Sequence, residues 1–288
     1  MNIQLKADIM LVFVAIFWGS SCLLTKIALE DLQEFNLIAV RFLIGFVLSF
    51  VVLFKKLKVD KRIIKYAVAL SGNYFFVISF MTFGVQYTSV SKAGFLTCLA
   101  VVFVPLLNLA VFHKRPERKT LFCAALAFVG VYMLTMSGAV NGEGINMGDV
   151  LCTLCSLFFA IQIMLTGYCV RRADALTLTV FQMGFVSLST MIASLIFETP
   201  HLPTTNISWL SIILLSVTSS VLGTLLQNTA QKHTTDTHAG IILTLEPAFA
   251  VIFAYLFLHE TLSLGGYVGG LVLLFSIVIL EVDFSRIK

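Results

Sequence analysis

Charge is scarce in this chain. Asp, Glu, Lys and Arg make up 12% of its 288 residues, about half the share of an ordinary soluble domain. No long polar stretch interrupts the apolar text, which leaves no room for a soluble ATPase or other appended catalytic domain. Neither D-x-x-D nor H-E-x-x-H occurs, so a membrane-embedded, metal-assisted enzyme would lack its usual ligands. A filter motif of the channel type is missing too. The six cysteines all sit in apolar segments, and Cys152 and Cys155 form a single C-x-x-C without a second pair. That spacing lacks the partners of a zinc or redox unit, and packing is the expected role.

What is present is apolar: 59% of the residues, with a mean hydropathy of +0.99. The 19 Lys and Arg are not spread evenly. All but Lys26, Arg41 and Lys92 fall in short patches: Lys6; Lys55 to Lys65; Lys114 to Lys119; Arg171 and Arg172; Lys232; and Arg286 with Lys288. Between successive patches lies enough apolar sequence for two membrane crossings. Cytoplasmic loops carry the excess of Lys and Arg, so the pattern predicts an even number of crossings with both termini in the cytoplasm of a multi-pass cell-membrane protein. The net charge of +4 is dispersed over loops. It fits a face near anionic lipid and not a nucleic-acid groove. The first segment resembles a signal peptide, but it lacks a clear cleavage site and is expected to be retained.

A crossing takes about 20 mostly apolar residues. The hydropathy pattern predicts helices over 7–28, 36–54, 64–86, 92–112, 119–137, 149–170, 177–197, 208–230, 239–258 and 264–282. Runs this long and uniformly apolar exclude barrel strands. The halves repeat. An offset of 141 pairs Asp8 with Asp149, Phe17 with Phe158 and Thr25 with Thr166. An offset of 146 pairs TSVSKAG (88–94) with TTDTHAG (234–240), and Leu99 with Leu245. Five crossings per half is an odd number, so the second half is inserted upside down. The loop after the fourth helix is basic while its counterpart, HETLS (259–263), has no Lys or Arg, as inversion requires. The expected fold is an all-α integral membrane bundle of ten transmembrane helices in two inverted five-helix repeats, 1–140 and 141–288. Inverted repeats that rock about a midplane site are a construction of secondary transporters.

FWGSS (17–21), YTSVSKAGFLTCLAVVFVPLL (87–107) and THAGIILTLEPAFAVIFAYLFLHETLSLGGYVGGLVLL (237–274) resemble EamA-type members of the drug/metabolite transporter superfamily. The likeness covers essentially the whole chain. It implies a ten-helix carrier of small metabolites, often an exporter, with a cavity formed by helices 1, 3, 4, 6, 8 and 9. It implies no enzyme activity and no cofactor or metal.

Candidate substrate contacts follow from depth. Trp18 lies about ten residues into the first helix, roughly 15 Å deep at 1.5 Å per residue, beside Gly19, Ser20 and Ser21. Tryptophan at mid-depth faces a cavity or packs on small residues; Trp209 fits an interfacial anchor. Asn73 and Tyr74, their repeat partners Ser219 and Ser220, and Gln162 with Thr166 are also near mid-depth. They contact substrate or act as interhelical glue. Glu246 is the most expensive residue, since a charged acid at a helix centre costs on the order of 3 kcal/mol to insert. Proton coupling, a substrate amine or a neutral structural acid would each explain it, with Pro247 loosening the helix beside it. Arg41 either snorkels to the surface or binds a substrate carboxylate; the structural reading is the expected one, because helix 2 lies outside the implied cavity set. Lys26 and Lys92 are expected to snorkel at the outer ends. Asp8 and Asp149 read as helix-start residues. His113 and His259 stand at loop edges without metal spacing. Gly265, Gly266, Gly269 and Gly270 permit close packing within the bundle. The partners expected are a small-molecule substrate and the lipid bilayer, with no nucleic acid and no required oligomer. Proton exchange and uncoupled diffusion both fit. An aromatic and amide-lined cavity with one acid suits amino-acid-like or amphipathic solutes.

Overall fold

The computed structural model describes residues 3–112, 118–137, 145–234, 239, 242–243 and 245–281. Among these, regular structure is helical throughout. In chain order the helices are α1 (Ile3–Ala28), α2 (Glu34–Leu53), α3 (Lys61–Tyr87), α4 (Val90–Thr97), α5 (Leu99–Phe112), α6 (Arg118–Ser137), α7 (Met147–Val170), α8 (Ala175–Phe197), α9 (Asn206–Leu214), α10 (Thr224–Gln231), α11 (Glu246–Leu258) and α12 (Leu264–Glu281). A π-helical segment, Leu215–Gly223, joins α9 to α10 without a break. Among the described residues, six helices are long and apolar enough to cross a membrane: α1, α2 with the turn that follows it, α3, α7, α8, and α9 continued through α10. Shorter apolar helices lie at 90–104, 125–134, 246–258 and 264–276.

The helix starts follow local chemistry. Asn146 accepts from the Asp149 amide while Asp149 reaches back to the Asn146 amide, a capping box that opens α7. Asp174, Thr205 and Ser89 cap α8, α9 and α4, each side chain accepting from the amide three residues on. The start of α2 is capped from a distance: the Glu198 carboxylate, just past α8, accepts from the amides of Phe35 (2.8 Å) and Asn36 (2.7 Å). Burial is inverted relative to a soluble protein. Large apolar side chains such as Val52, Phe197 and Leu264 are exposed, and Asn36, Gln162, Gln182, Asn228 and Gln231 are buried. A lipid-facing exterior and a polar interior produce that distribution.

Glycines set the closest contacts. A methyl on Gly19 would lie 2.7 Å from Phe249 Cβ and 2.8 Å from the Glu246 carbonyl oxygen, and one on Gly94 2.7 Å from Ala250 Cβ. Helix α11 is thus wedged between α1 and α4. Gly130 and Gly269 bring α6 and α12 together, each Cβ position falling within 2.8 Å of the other helix's backbone, and Gly270 sits against the Phe95 ring. The glycine run is therefore an internal packing seam, as expected.

Three helices depart from the hydropathy reading. The fourth stops at Thr97 and resumes at Leu99. The ninth resumes at Glu246 after a turn at Leu245. Pro247 therefore does not loosen a continuous helix. It sits in the first turn, where no amide donor is needed. The eighth carries the π-helical segment. Asp8 is not a helix start either: α1 is already helical from Ile3, and Asp8 accepts from Gln4 one turn back (3.1 Å). Asp149, by contrast, is one. The side chain of Pro105, and all of His113 and the basic loop around it, lie outside the described residues.

Candidate functional site

Helices α1, α2, α3, α4, α7 and α11, with the π-helical segment, surround a narrow, partly open central cavity of about 50 Å³. Its walls are Trp18 and Ser21 from α1, Arg41 from α2, Tyr74, Val77, Ile78 and Met81 from α3, Thr97 from α4, Cys155 and Phe159 from α7, Ser219, and Glu246. Five of the nine sequence-derived candidates line it: Trp18, Ser21, Tyr74, Ser219 and Glu246. The other four stand behind the wall. Asn73 Nδ2 donates to Gln162 Oε1 (2.8 Å) and to the Phe158 carbonyl (3.0 Å). Ser220 accepts from Arg41 Nε (2.8 Å). Thr166 is buried within α7.

Arg41 corrects the expectation made for it. It does not snorkel: the residue is 2% exposed, and its guanidinium lies inside the bundle. Nε donates to Ser220 Oγ and Nη2 donates to Ser219 Oγ (2.7 Å). The carbonyl of Arg41 accepts from Ser216 Oγ (2.9 Å), and the guanidinium carbon lies 5.3 Å from the centre of the Phe42 ring. Position in α2, about five residues from its outer end, suggested a surface residue. Its only signal in the sequence was that its mirror position holds Gln182, which is itself buried.

Trp18 is positioned by the π-helical segment. Its indole Nε1 donates to the Ser219 carbonyl (3.2 Å), and its ring meets Phe159 edge-on with centroids 5.5 Å apart. A side chain on Gly223 would fall 2.7 Å from that indole nitrogen, so the glycine makes space for it. Glu246 opens α11 at the cavity wall and is 7% exposed. Its carboxylate has no hydrogen bond or ion pair among the described residues. Taking an ion out of water costs several kcal/mol unless a partner replaces the water. The cavity thus carries one cation whose hydrogen bonds among the described residues go to neutral hydroxyls, and one acid without a partner among those residues.

A second cluster ties the helix ends on one side. Lys26 Nζ lies 3.2 Å from Glu260 Oε1 and donates to the Thr88 carbonyl. Lys92 Nζ lies 3.7 Å from Asp149 Oδ2, and the Thr88 hydroxyl donates to Asp149 Oδ1 (2.7 Å). These lysines are paired, and Lys92 is buried, so neither snorkels as expected. His259, just before Glu260, ends α11 in the left-handed region at φ 53°. Nearby, Asp31 accepts from the Thr204 amide and hydroxyl. Those bonds, the hydroxyl first, hold the Asp31 carboxyl down at about 2. Among the described residues, no group of His, Cys, Asp or Glu could hold a metal ion.

Comparison with known proteins adds to this geometry. The model of the EamA-like transporter family matches residues 5–136 and again 146–282. A protein of Archaeoglobus fulgidus named as an uncharacterized transporter is 30% identical over 96% of this chain and 86% of its own. A protein of Salmonella typhimurium named "Probable amino-acid metabolite efflux pump" is 24% identical over 98% of this chain and 97% of its own. One solved crystal structure superposes with a TM-score of 0.69 over 95% of each chain at 14% identity, a likeness of fold alone.

Proposed function

Because the chain belongs to the EamA-like transporter family, we propose that this membrane transporter moves small organic solutes through its central cavity by alternating access, and that it exports them. The observation that carries the reading is the cavity itself: a central space with an acid, a cation and an indole on its walls, drawn from both halves of the sequence. The family match to each half supports two five-helix units, about 1–140 and 141–288, inserted upside down relative to each other. Four shorter apolar helices beside the six long ones are consistent with ten crossings.

The broken helices support the same reading. Under the 146-residue offset, the interruption at Cys98 falls opposite position 244, next to the turn at Leu245. Transporters place substrate sites at such paired breaks, where helix ends meet the cavity. The basic loops at 55–65 and 171–172, and Lys232, fall at one end of the bundle if each long helix is one traverse. The Lys26, Lys92 and Asp31 clusters fall at the other. By the charge rule the first end is cytoplasmic, and both termini of the cell-membrane protein lie there. The closed cluster is then the outer gate.

Trp18, Ser21, Tyr74, Ser219 and Glu246 contact the solute in this mechanism, while Asn73, Gln162, Thr166 and Ser220 hold the wall in place. The name of the Salmonella relative and the pairing of an acid with an apolar, aromatic wall favour amino-acid-like or amphipathic solutes. Counterflow in proteoliposomes tests the mechanism. A carrier exchanges labelled for unlabelled solute with saturation; linear, unsaturable flux would sink the reading in favour of a channel. Glu246→Gln tests coupling: with proton coupling, exchange by the unaltered protein is expected to vary with pH and exchange by the variant is not. An unchanged profile removes Glu246 from coupling.

A further inference from the structure

The geometry points to Arg41 as the carboxylate anchor of the cavity, so that the solute carried bears a carboxylate bound at α2 and a cationic amine turned toward Glu246 on α11. This deepens the transporter reading above and rests on it.

A guanidinium has five N–H donors in a fixed fork. In Arg41 Nε and Nη2 are engaged by two neutral hydroxyls, and Nη1 has no hydrogen-bond partner among the described residues. No carboxylate lies within ion-pair distance of it among those residues. The serines fix the plane of the fork and leave Nη1 without a hydrogen bond among the described residues, in a side chain that lines the cavity. A planar fork matches a carboxylate in two parallel bonds. Desolvation of such a cation inside the bundle is costly without a counter-charge, and neutral serines do not supply one.

Glu246 restricts the ligand further. It lines the same cavity from the other half of the chain and has no partner of its own among the described residues. A phosphate or other dianion would face one cation and an opposing acid. A zwitterion offers each group an opposite charge and crosses with no net charge. The wall between them is apolar, formed by Val77, Ile78, Met81 and Phe159, and suits an apolar side chain. A zwitterion so bound spans the two halves, since its ends are held by α2 and α11.

The test uses purified full-length protein and a thermal-shift panel. The panel contains the standard L-amino acids, the matching amides, which lack the carboxylate charge, and the matching decarboxylated amines. We expect apolar amino acids to stabilise the unaltered protein and their amides and amines to fail. Arg41→Gln should weaken that binding by about tenfold to a hundredfold, the range of a charge-assisted hydrogen bond. Arg41→Lys, which keeps charge without the fork, should recover part of it. Should Arg41→Gln not fold, the amide comparison on the unaltered protein still decides. Amides that stabilise as well as their acids would overturn the assignment, as would amino-acid binding left intact in a folded Arg41→Gln. If no carboxylate-bearing compound binds, the anchor is wrong. Saturable counterflow of a cationic or neutral solute would in that case leave the transporter reading standing, and unsaturable flux would remove both.

Discussion

Gly19 illustrates how single residues build the cavity. It lies one residue from Trp18 and lets the start of α11 press against α1, which brings Glu246 to the wall. Gly19→Ala already places a carbon against backbone on the facing helix, and Gly19→Val adds more. The valine variant should lose about 1–3 kcal/mol of stability, the usual range for overpacking. Thermal unfolding in detergent measures this, and an unchanged midpoint would mean that α1 and α11 separate freely. Asp31 makes a different claim. Its carboxyl is held near 2 against an ordinary value of 3.8, a depressed value, so its stabilising bonds are complete above about 4 and lost as pH falls through about 2. Hydrogen exchange at the Thr204 amide, corrected for intrinsic rate, should be flat from pH 7 to 4 and rise below 3. At this scale, Glu246 was legible because an acid in apolar text stands out whatever its surroundings. Arg41 was not, because depth along a helix says nothing of which face a side chain occupies. Only the packing of the π-helical segment against α2 turns it inward.

At the scale of elements, irregularity does the positioning. A π-helical segment is a costly conformation and is frequent at functional sites. Here it aims the Ser219 and Ser220 hydroxyls at Arg41 and the Ser219 carbonyl at Trp18. Deleting Thr218 should restore tighter winding and turn the preceding helix by about 100° relative to the following one. Such a variant is expected to fold less stably and to lose saturable exchange; full exchange would show that the segment positions nothing of consequence. The sequence offered no sign of this segment beyond its serines and Gly223, since hydropathy is blind to how a helix winds. The restart of α11 was partly visible through Pro247, but a proline in the first turn and a proline that bends a helix leave the same trace. The break at Cys98 left none. Lengths and approximate limits of the long helices were legible, because the bilayer fixes both.

For the molecule as a whole, hydrogen bonds join the two halves along the bundle, while the ion pairs between them among the described residues lie at one end. Lys26 with Glu260, Lys92 with Asp149, and Glu198 with the start of α2 each join a residue before 140 to one after it. The partly exposed Lys26–Glu260 pair is worth about 1 kcal/mol or less, weak enough for the proposed outer gate to open, whereas Lys92 and Asp149 are buried. Removing the Lys26 pair should raise the open population about fivefold at most. A cysteine placed at Ser21, on the cavity wall, reports this through labelling by an impermeant thiol reagent added outside. Lys26→Gln and Lys92→Gln should each speed the labelling, and the double variant should speed it further. Equal rates in all three would remove the outer gate.

All six native thiols are buried, and only Cys155 touches the cavity. The natural chain is therefore nearly silent to bulky maleimides, and a reporter placed on its exterior gives a signal without the wholesale replacement of cysteine that most such studies begin with.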